Sequence, residues 1–426
     1  MINQQTRNQS QRGPHEQWTP PSLMQMGLVF ILLVLMSSIG EALAAETPVK
    51  TRQNQPPPAK LQLSLNDALA LFLKKNMDLL VVKYGIDAAK GRQITAGLFP
   101  NPTFSVNTLT SYTQKCTLER CGGIMPVLTQ LFEVAGKRGF RVESAGYGTK
   151  SSEAMFEDTV RKLRFAVKDA YYRIQVGREH LKVDKKMFDR ISLVLKGKFM
   201  PNMHELDNRE RIRFRIEAVQ AQAQVIHDIQ DIDAATADLR VLLGLNPLTE
   251  LKLTTPLEYH RVDPHQPHLL KLAENRPDIV AKRLIFSKRK AEFRLAKSIA
   301  IPDVTVDLGY LVQGPMGPDN QQQWTFNVGI PLPIFDQNQG GIMVANADLL
   351  AAQADLQKTY NDLYVEVDTA YRRMVQSRNL VEAYRVGILE ESESLVRSMR
   401  EAYAKEDVSF LDMLDAGRTN ANLQED

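Results

Sequence analysis

The chain has 426 residues, 53 Lys and Arg against 50 Asp and Glu, a formal net charge of +3, and two cysteines. That length allows two or three ordinary domains or one long repetitive architecture. The charge balance argues against a nucleic-acid binder, two cysteines exclude a disulfide scaffold or Cys-rich zinc module, and no P-loop or Rossmann glycine motif supports an energy-coupling ATPase.

Only one stretch is apolar enough to cross a bilayer as a helix, so a polytopic pump is excluded. It runs from Leu23 to Ile39, behind Arg7 and Arg12 and ahead of Ala42-Leu43-Ala44. Basic region, apolar region, then small-x-small is the order of a secretory signal peptide, here residues 1–45. An uncleaved anchor helix is the alternative, because the apolar run is long. Residues 46–60, with Pro56-Pro57-Pro58 and several glutamines, read as an exposed linker.

The rest of the chain repeats. Asn76-Met77-Asp78-Leu79 aligns with Arg276-Pro277-Asp278-Ile279, and Pro100-Asn101-Pro102 with Pro302-Asp303-Val304. Glu133 to Arg138 falls opposite Ile334 to Gln339 at nearly the same offset. The expected order in each half is helix, two strands, a very long helix, a sharp turn and a helix back. Residues 61–250 form the first repeat, 251–268 a connector and 269–426 the second.

Strands are expected at about 102–113 and 124–135, then at about 302–313 and 323–333, from their period-two alternation. Phe104 and Val106 share a face in the first, and Trp324, Phe326 and Val328 share one in the last. The second strand alternates poorly. Membrane-barrel strands and a half-buried soluble hairpin both give this pattern.

Long helices are expected at about 140–200 and 342–405, stretches without proline. Val160, Leu163, Val167, Ala170 and Ile174 step by three and four, as do Leu349, Ala352, Leu356, Thr359 and Leu363. Roughly 60 helical residues span roughly 90 Å, far beyond a globular helix. The fold class is mainly α with a small β part. Four strands cannot close a barrel, and an open edge cannot face lipid, so strands that enter a membrane require several chains to share one barrel.

These residues resemble the TolC-like outer-membrane efflux family, and within it the CzcC-like heavy-metal branch. The resemblance rests on Leu98-Phe99-Pro100-Asn101-Pro102, Gly136-Lys137-Arg138, Arg276-Pro277-Asp278, the run from Pro331 to Gly340, and Ser409 to Ala416. It implies a homotrimer with a shared twelve-stranded barrel in the outer membrane of a Gram-negative bacterium, continued by a helical tube into the periplasm. It further implies outer-membrane lipid around the barrel, a periplasmic adaptor (membrane fusion protein) and an inner-membrane pump of the RND type. Heavy-metal cations are the implied cargo. No cofactor and no catalytic site are expected.

By the same resemblance Asp412 and Asp415 ring the closed periplasmic mouth. They sit three apart on one helix face, where a threefold arrangement would gather six carboxylates; a solvated helix start, favoured by the helix dipole, is the other reading. Pro201 and Asn202, with Glu406 and Asp407, mark the two turns that would meet the adaptor, although neither turn has the glycine usual there. Cys116 and Cys121 lie in one interstrand loop and are candidates for a disulfide in an exported protein, with free thiols or an incidental metal contact as the other readings. His260, His265 and His268 are weak metal candidates, since their spacing matches no standard site. Gly136-Lys137-Arg138 lacks the flanking residues of a phosphate loop and is expected to end a strand and open the long helix.

One feature departs from the pattern. The helix after the first turn runs from about Met203 to Leu243, whereas its counterpart begins near Ser409. The repeat therefore predicts about 23 further residues, and the chain reads as C-terminally truncated. The functional expectation is the exit duct of a tripartite efflux system. Export of organic compounds or polypeptides is the alternative within the family. From another class, a membrane-tethered periplasmic coiled-coil adaptor or structural protein is disfavoured by the doubled strand pairs.

Overall fold

A computed structural model of the chain describes residues 60–109, 123–196, 208–313, 322–405 and 407–425. The expected signal peptide and all of the linker but Lys60 fall outside them, as do Cys116, Cys121, Pro201, Asn202 and Glu406. In chain order the elements are β1 (Lys60–Leu63), α1 (Leu65–Lys75), α2 (Met77–Gly97), β2 (Thr103–Leu109), β3 (Gly123–Phe132), α3 (Lys137–Leu195) and α4 (Asn208–Leu242). The second half holds β4 (Glu250–Leu253), α5 (Gln266–Ala273), α6 (Pro277–Ile299), β5 (Val304–Gln313), β6 (Gln323–Gly329), α7 (Gln339–Ala383), α8 (Leu389–Ala404) and α9 (Phe410–Glu425).

Two strands leave no mark in the sequence pattern. Lys60 opens β1 rather than closing the linker, and β1 pairs in parallel with β4 from the connector, Lys60 opposite Glu250 through Leu63 opposite Leu253. Four residues are too few for alternation to stand out, so only the pairing reveals them. Ser64 then starts α1 with a capping box closed by Asp67.

The largest core gathers where α1, α3 and α4 meet this small sheet. Phe72, Val167, Tyr171, Leu239 and Leu243 are fully buried there, and Val160 and Leu163 pack against them. The Tyr171 hydroxyl donates to the Leu63 carbonyl at 3.0 Å and accepts from the Thr255 N–H at 3.1 Å, which satisfies its buried oxygen. Gly244 follows α4 at φ +60, and a Cβ there would meet the Lys75 carbonyl oxygen at 2.5 Å. Asn76 closes the same corner: its Nδ2 donates to the Leu242 carbonyl at 2.9 Å while its Oδ1 caps α2.

The helix α3 is 59 residues long, about 90 Å at the usual rise, and packs against α2, α4 and α6. Its counterpart is not continuous, contrary to the expectation for 342–405. A π-turn at Tyr384–Ile388 separates α7 from α8, with Gly387 at φ +113. That backbone conformation interrupts the helix and strongly favours glycine. Along α7 the expected seam packs toward α6 but is fully buried only at Leu363, so its coverage is thinner than that of α3.

Candidate functional site

The four-stranded sheet is antiparallel in the order β2-β3-β5-β6. Phe104, Leu128, Leu308 and Phe326 are successive cross-strand partners, so they form one row across all four strands. They are 69%, 47%, 46% and 71% exposed, and Val106, Ile124 and Val328 extend the apolar surface. The other face carries the sheet's polar network beside Met125 and Val127. Asp307 accepts from Thr129 Oγ1 at 2.7 Å and from Asn327 Nδ2 at 3.0 Å across three strands. A half-buried soluble hairpin would turn its apolar face inward; this sheet leaves it exposed, as a barrel wall meant for lipid does. The poor alternation of β3 has a local cause. Val127 is buried beside Gly309, where a Cβ would meet Thr325 Oγ1 at 2.5 Å and Val127 Cγ2 at 3.2 Å.

The β3 and β6 ends, Phe132 and Gly329, fall short of the expected 135 and 333, because the chain turns there toward the helices. The turn is built alike in both halves: a left-handed residue stands immediately before each long helix, Gly136 at φ +73 before α3 and Asn338 at φ +57 before α7. Ala135 also adopts positive φ, a strained choice for a residue with a Cβ. Asp303 holds this junction: its Oδ1 accepts from the buried Lys137 Nζ at 2.7 Å and from the Val134 N–H at 3.0 Å. Arg141 pairs with Glu133 through both terminal nitrogens, and Arg138 lies 4.3 Å over the Phe99 ring. Thus Gly136-Lys137-Arg138 opens the long helix as expected, and Lys137 binds the second half of the chain.

At the other end of the helices, α9 packs on α3 and α4. Leu414 is buried with Ile191, Val194 and Phe214, and Tyr403 and Met413 pack around them. Asp412 and Asp415 stay exposed on α9. Asp412 has a local task that its sequence position leaves implicit: its Oδ2 accepts from Ser409 Oγ at 2.6 Å and from the Ser409 N–H at 3.1 Å, while its own N–H donates back to Ser409 Oγ. This is a capping box, which stabilises a helix start by about 1 kcal/mol. Asp415 has no such duty among the described residues. Asp407 is exposed in the bend after α8, its N–H donating to the Ala402 carbonyl at 3.0 Å.

The three connector histidines do not converge. His260 is exposed 3.8 Å from Glu258, whereas His265 and His268 sit at the start of α5. No group of three or more His, Cys, Asp and Glu is placed to hold a metal among the described residues.

A carboxyl pair escapes sequence reading. Asp184 on α3 and Asp228 on α4 are 9% and 5% exposed, hydrogen-bond each other, and each keeps one buried oxygen without a partner. Burial raises both above the ordinary carboxyl range; Asp228 reaches about 6, with Asp184 adding to the rise. His180, Gln224 and Glu425 surround them. The signal available in sequence is one of spacing: Asp184 lies two turns before the buried Ile191, and Asp228 two turns before the buried Ala235.

Residues 269–425 match the family model described as outer membrane efflux protein. Over 366 residues the chain is 24% identical to the cobalt-zinc-cadmium resistance protein CzcC of Cupriavidus metallidurans, covering 84% of each. Its fold is similar to the outer-membrane channel OprN (TM-score 0.68, 19% identity, 85% of each chain). It is also similar to CusC, solved in connection with transmembrane channel formation (TM-score 0.65, 16% identity, 88% of this chain and 90% of that one). No helix among the described residues is long and apolar enough to cross a membrane. Sequence match and fold thus liken this chain to the outer membrane efflux proteins, with the family model matching residues 269–425 and the fold resembling that of outer-membrane channels.

Proposed function

We propose that this chain is the exit duct of a tripartite efflux system, passing heavy-metal cations from an inner-membrane pump and a periplasmic adaptor to the exterior. One observation carries the reading: an exposed apolar row crosses a sheet whose outer strands, β2 and β6, have no further partner among the described residues. Such edges are tolerable in lipid only when closed by other chains. Three copies would supply twelve strands, and the long helices would continue the barrel as a tube. The mechanism is passive, an opening of the far helices when adaptor and pump dock.

Asp412 and Asp415 act as the gate ring in this reading. Both are exposed on α9, and six carboxylates around a threefold axis would repel one another and attract cations. Pro201, Asn202, Glu406 and Asp407 belong to the adaptor-facing turns. Similarity to CzcC, whose name ties it to cobalt, zinc and cadmium resistance, supports a metal cargo.

The test is expression in a Gram-negative host, envelope fractionation and cross-linking, followed by zinc and cobalt export assays with the adaptor and pump produced beside it. A heat-resistant trimer in the outer-membrane fraction and partner-dependent cation export are expected. A monomer in the periplasm or inner membrane overturns the duct. Asp415→Asn should weaken the cation selectivity of the conductance in planar bilayers; unchanged selectivity removes the gate assignment.

A further inference from the structure

A cleft of about 250 Å³ opens between α3, α8 and α9. Lys186 and Arg190 line it from α3, and Arg397 and Arg400 from α8. The one acidic side chain in the lining, Glu393, already accepts from Gln424 Nε2 at 3.4 Å. Lys186, Arg190 and Arg397 form no ion pair among the described residues. Burial, reinforced by the neighbouring Arg190 charge, pulls the half-buried Arg400 guanidinium below its ordinary value. Two hairpins of one chain thus hold like charges against each other, over a wall that includes the buried Val396.

We propose that this cleft binds a small dianion of the phosphate class, which ties α3 of the first half to α8 of the second. Guanidinium forks match tetrahedral oxyanions through paired N–H donors, and lysine adds a point charge. The volume equals that of about eight waters at about 30 Å³ each, room for one such anion and part of its hydration shell. Arg190 lies most of the way along α3, about 80 Å from the strands at about 1.5 Å per residue. Headgroups of a bilayer around the sheet cannot reach it, so the anion comes from solution. The proposal stands independently of the cargo.

Titration of inorganic phosphate into the purified full chain in detergent, by calorimetry at constant ionic strength against chloride, tests it. One saturable site per chain is expected, weakened tenfold or more by Arg190→Gln and by Arg397→Gln. Phosphate should also raise the melting temperature of the wild type and not of the variants. Heats that fail to saturate, or an affinity unchanged in both variants, overturn the site. So does occupancy reserved for an acidic side chain of another protein, which would appear as no phosphate binding at all. Arg397 is exposed, so Arg397→Gln alone decides the matter if Arg190→Gln does not fold.

Discussion

The Asp184–Asp228 pair makes stability depend on pH in an unusual direction. Asp228 titrates near 6 in the folded chain against 3.8 as a free carboxyl, so the native state binds more protons than the unfolded one between these values. Its protonated form therefore supports the fold fully below about pH 4, and that support is lost as pH rises through 6. A difference of about two in pKa, at about 1.4 kcal/mol for each, sets a ceiling of about 3 kcal/mol at neutral pH. Sharing of charge with Asp184 brings the expected value to about 1–3 kcal/mol. Asp228→Asn keeps the shape and carries no charge, so it should be more stable than wild type at pH 7.5 by that amount and nearly equal at pH 4. Thermal melts of full-length protein in detergent, followed by circular dichroism at matched scan rates across pH 4–8, measure the difference. A variant less stable at pH 7.5, or two parallel pH profiles, would refute the reasoning.

Other substitutions probe separate parts of the molecule. Lys137→Met leaves Asp303 without its cation at a largely buried junction and should lower stability by about 2–4 kcal/mol in the same melts, with Asp303→Leu added to the same chain restoring part of it. Gly244→Ala places a Cβ against the Lys75 carbonyl at positive φ; a loss of about 1–3 kcal/mol is expected, and an unchanged melting temperature would show that this corner relaxes freely. Phe326→Arg, in the apolar row, should cost about 2–4 kcal/mol if it lies near the bilayer midplane, read as a reduced share of protein in the outer-membrane fraction. Leu414→Ala should loosen α9 from α3 and α4 by about 2–4 kcal/mol, detected as faster proteolysis after Tyr403 or within α9.

Much of the architecture was legible because long-period signals survive in a single sequence. The repeated start of α2 and α6 is one case. Asn76 caps the first through the Leu79 N–H, and Arg276 grips Asp278 at the start of the second, different chemistry at matching positions. The left-handed residues Gly136 and Asn338 are another, since both residue types tolerate positive φ. Short or nonlocal features were not legible. The β1–β4 pairing joins a four-residue segment at the start of the first repeat to one at the start of the connector, and Gly387 looks in sequence like any tolerated helix glycine. Asp412 was read for its charge, while its capping bond to Ser409 follows from the local backbone.

By itself the sequence determined the doubled order of helices and strands, the length of the first long helix and the alternation of most strands, because each arises from the periodicity of neighbouring residues. Tertiary structure decided which strand face lies bare, that Lys137 reaches Asp303 in the other half, and that two aspartates meet out of water. Alternation states that a strand has two unlike faces but not which one the rest of the chain covers. Burial and charge pairing depend on residues far apart in the chain, and only the packed helices bring them within a few ångströms of each other.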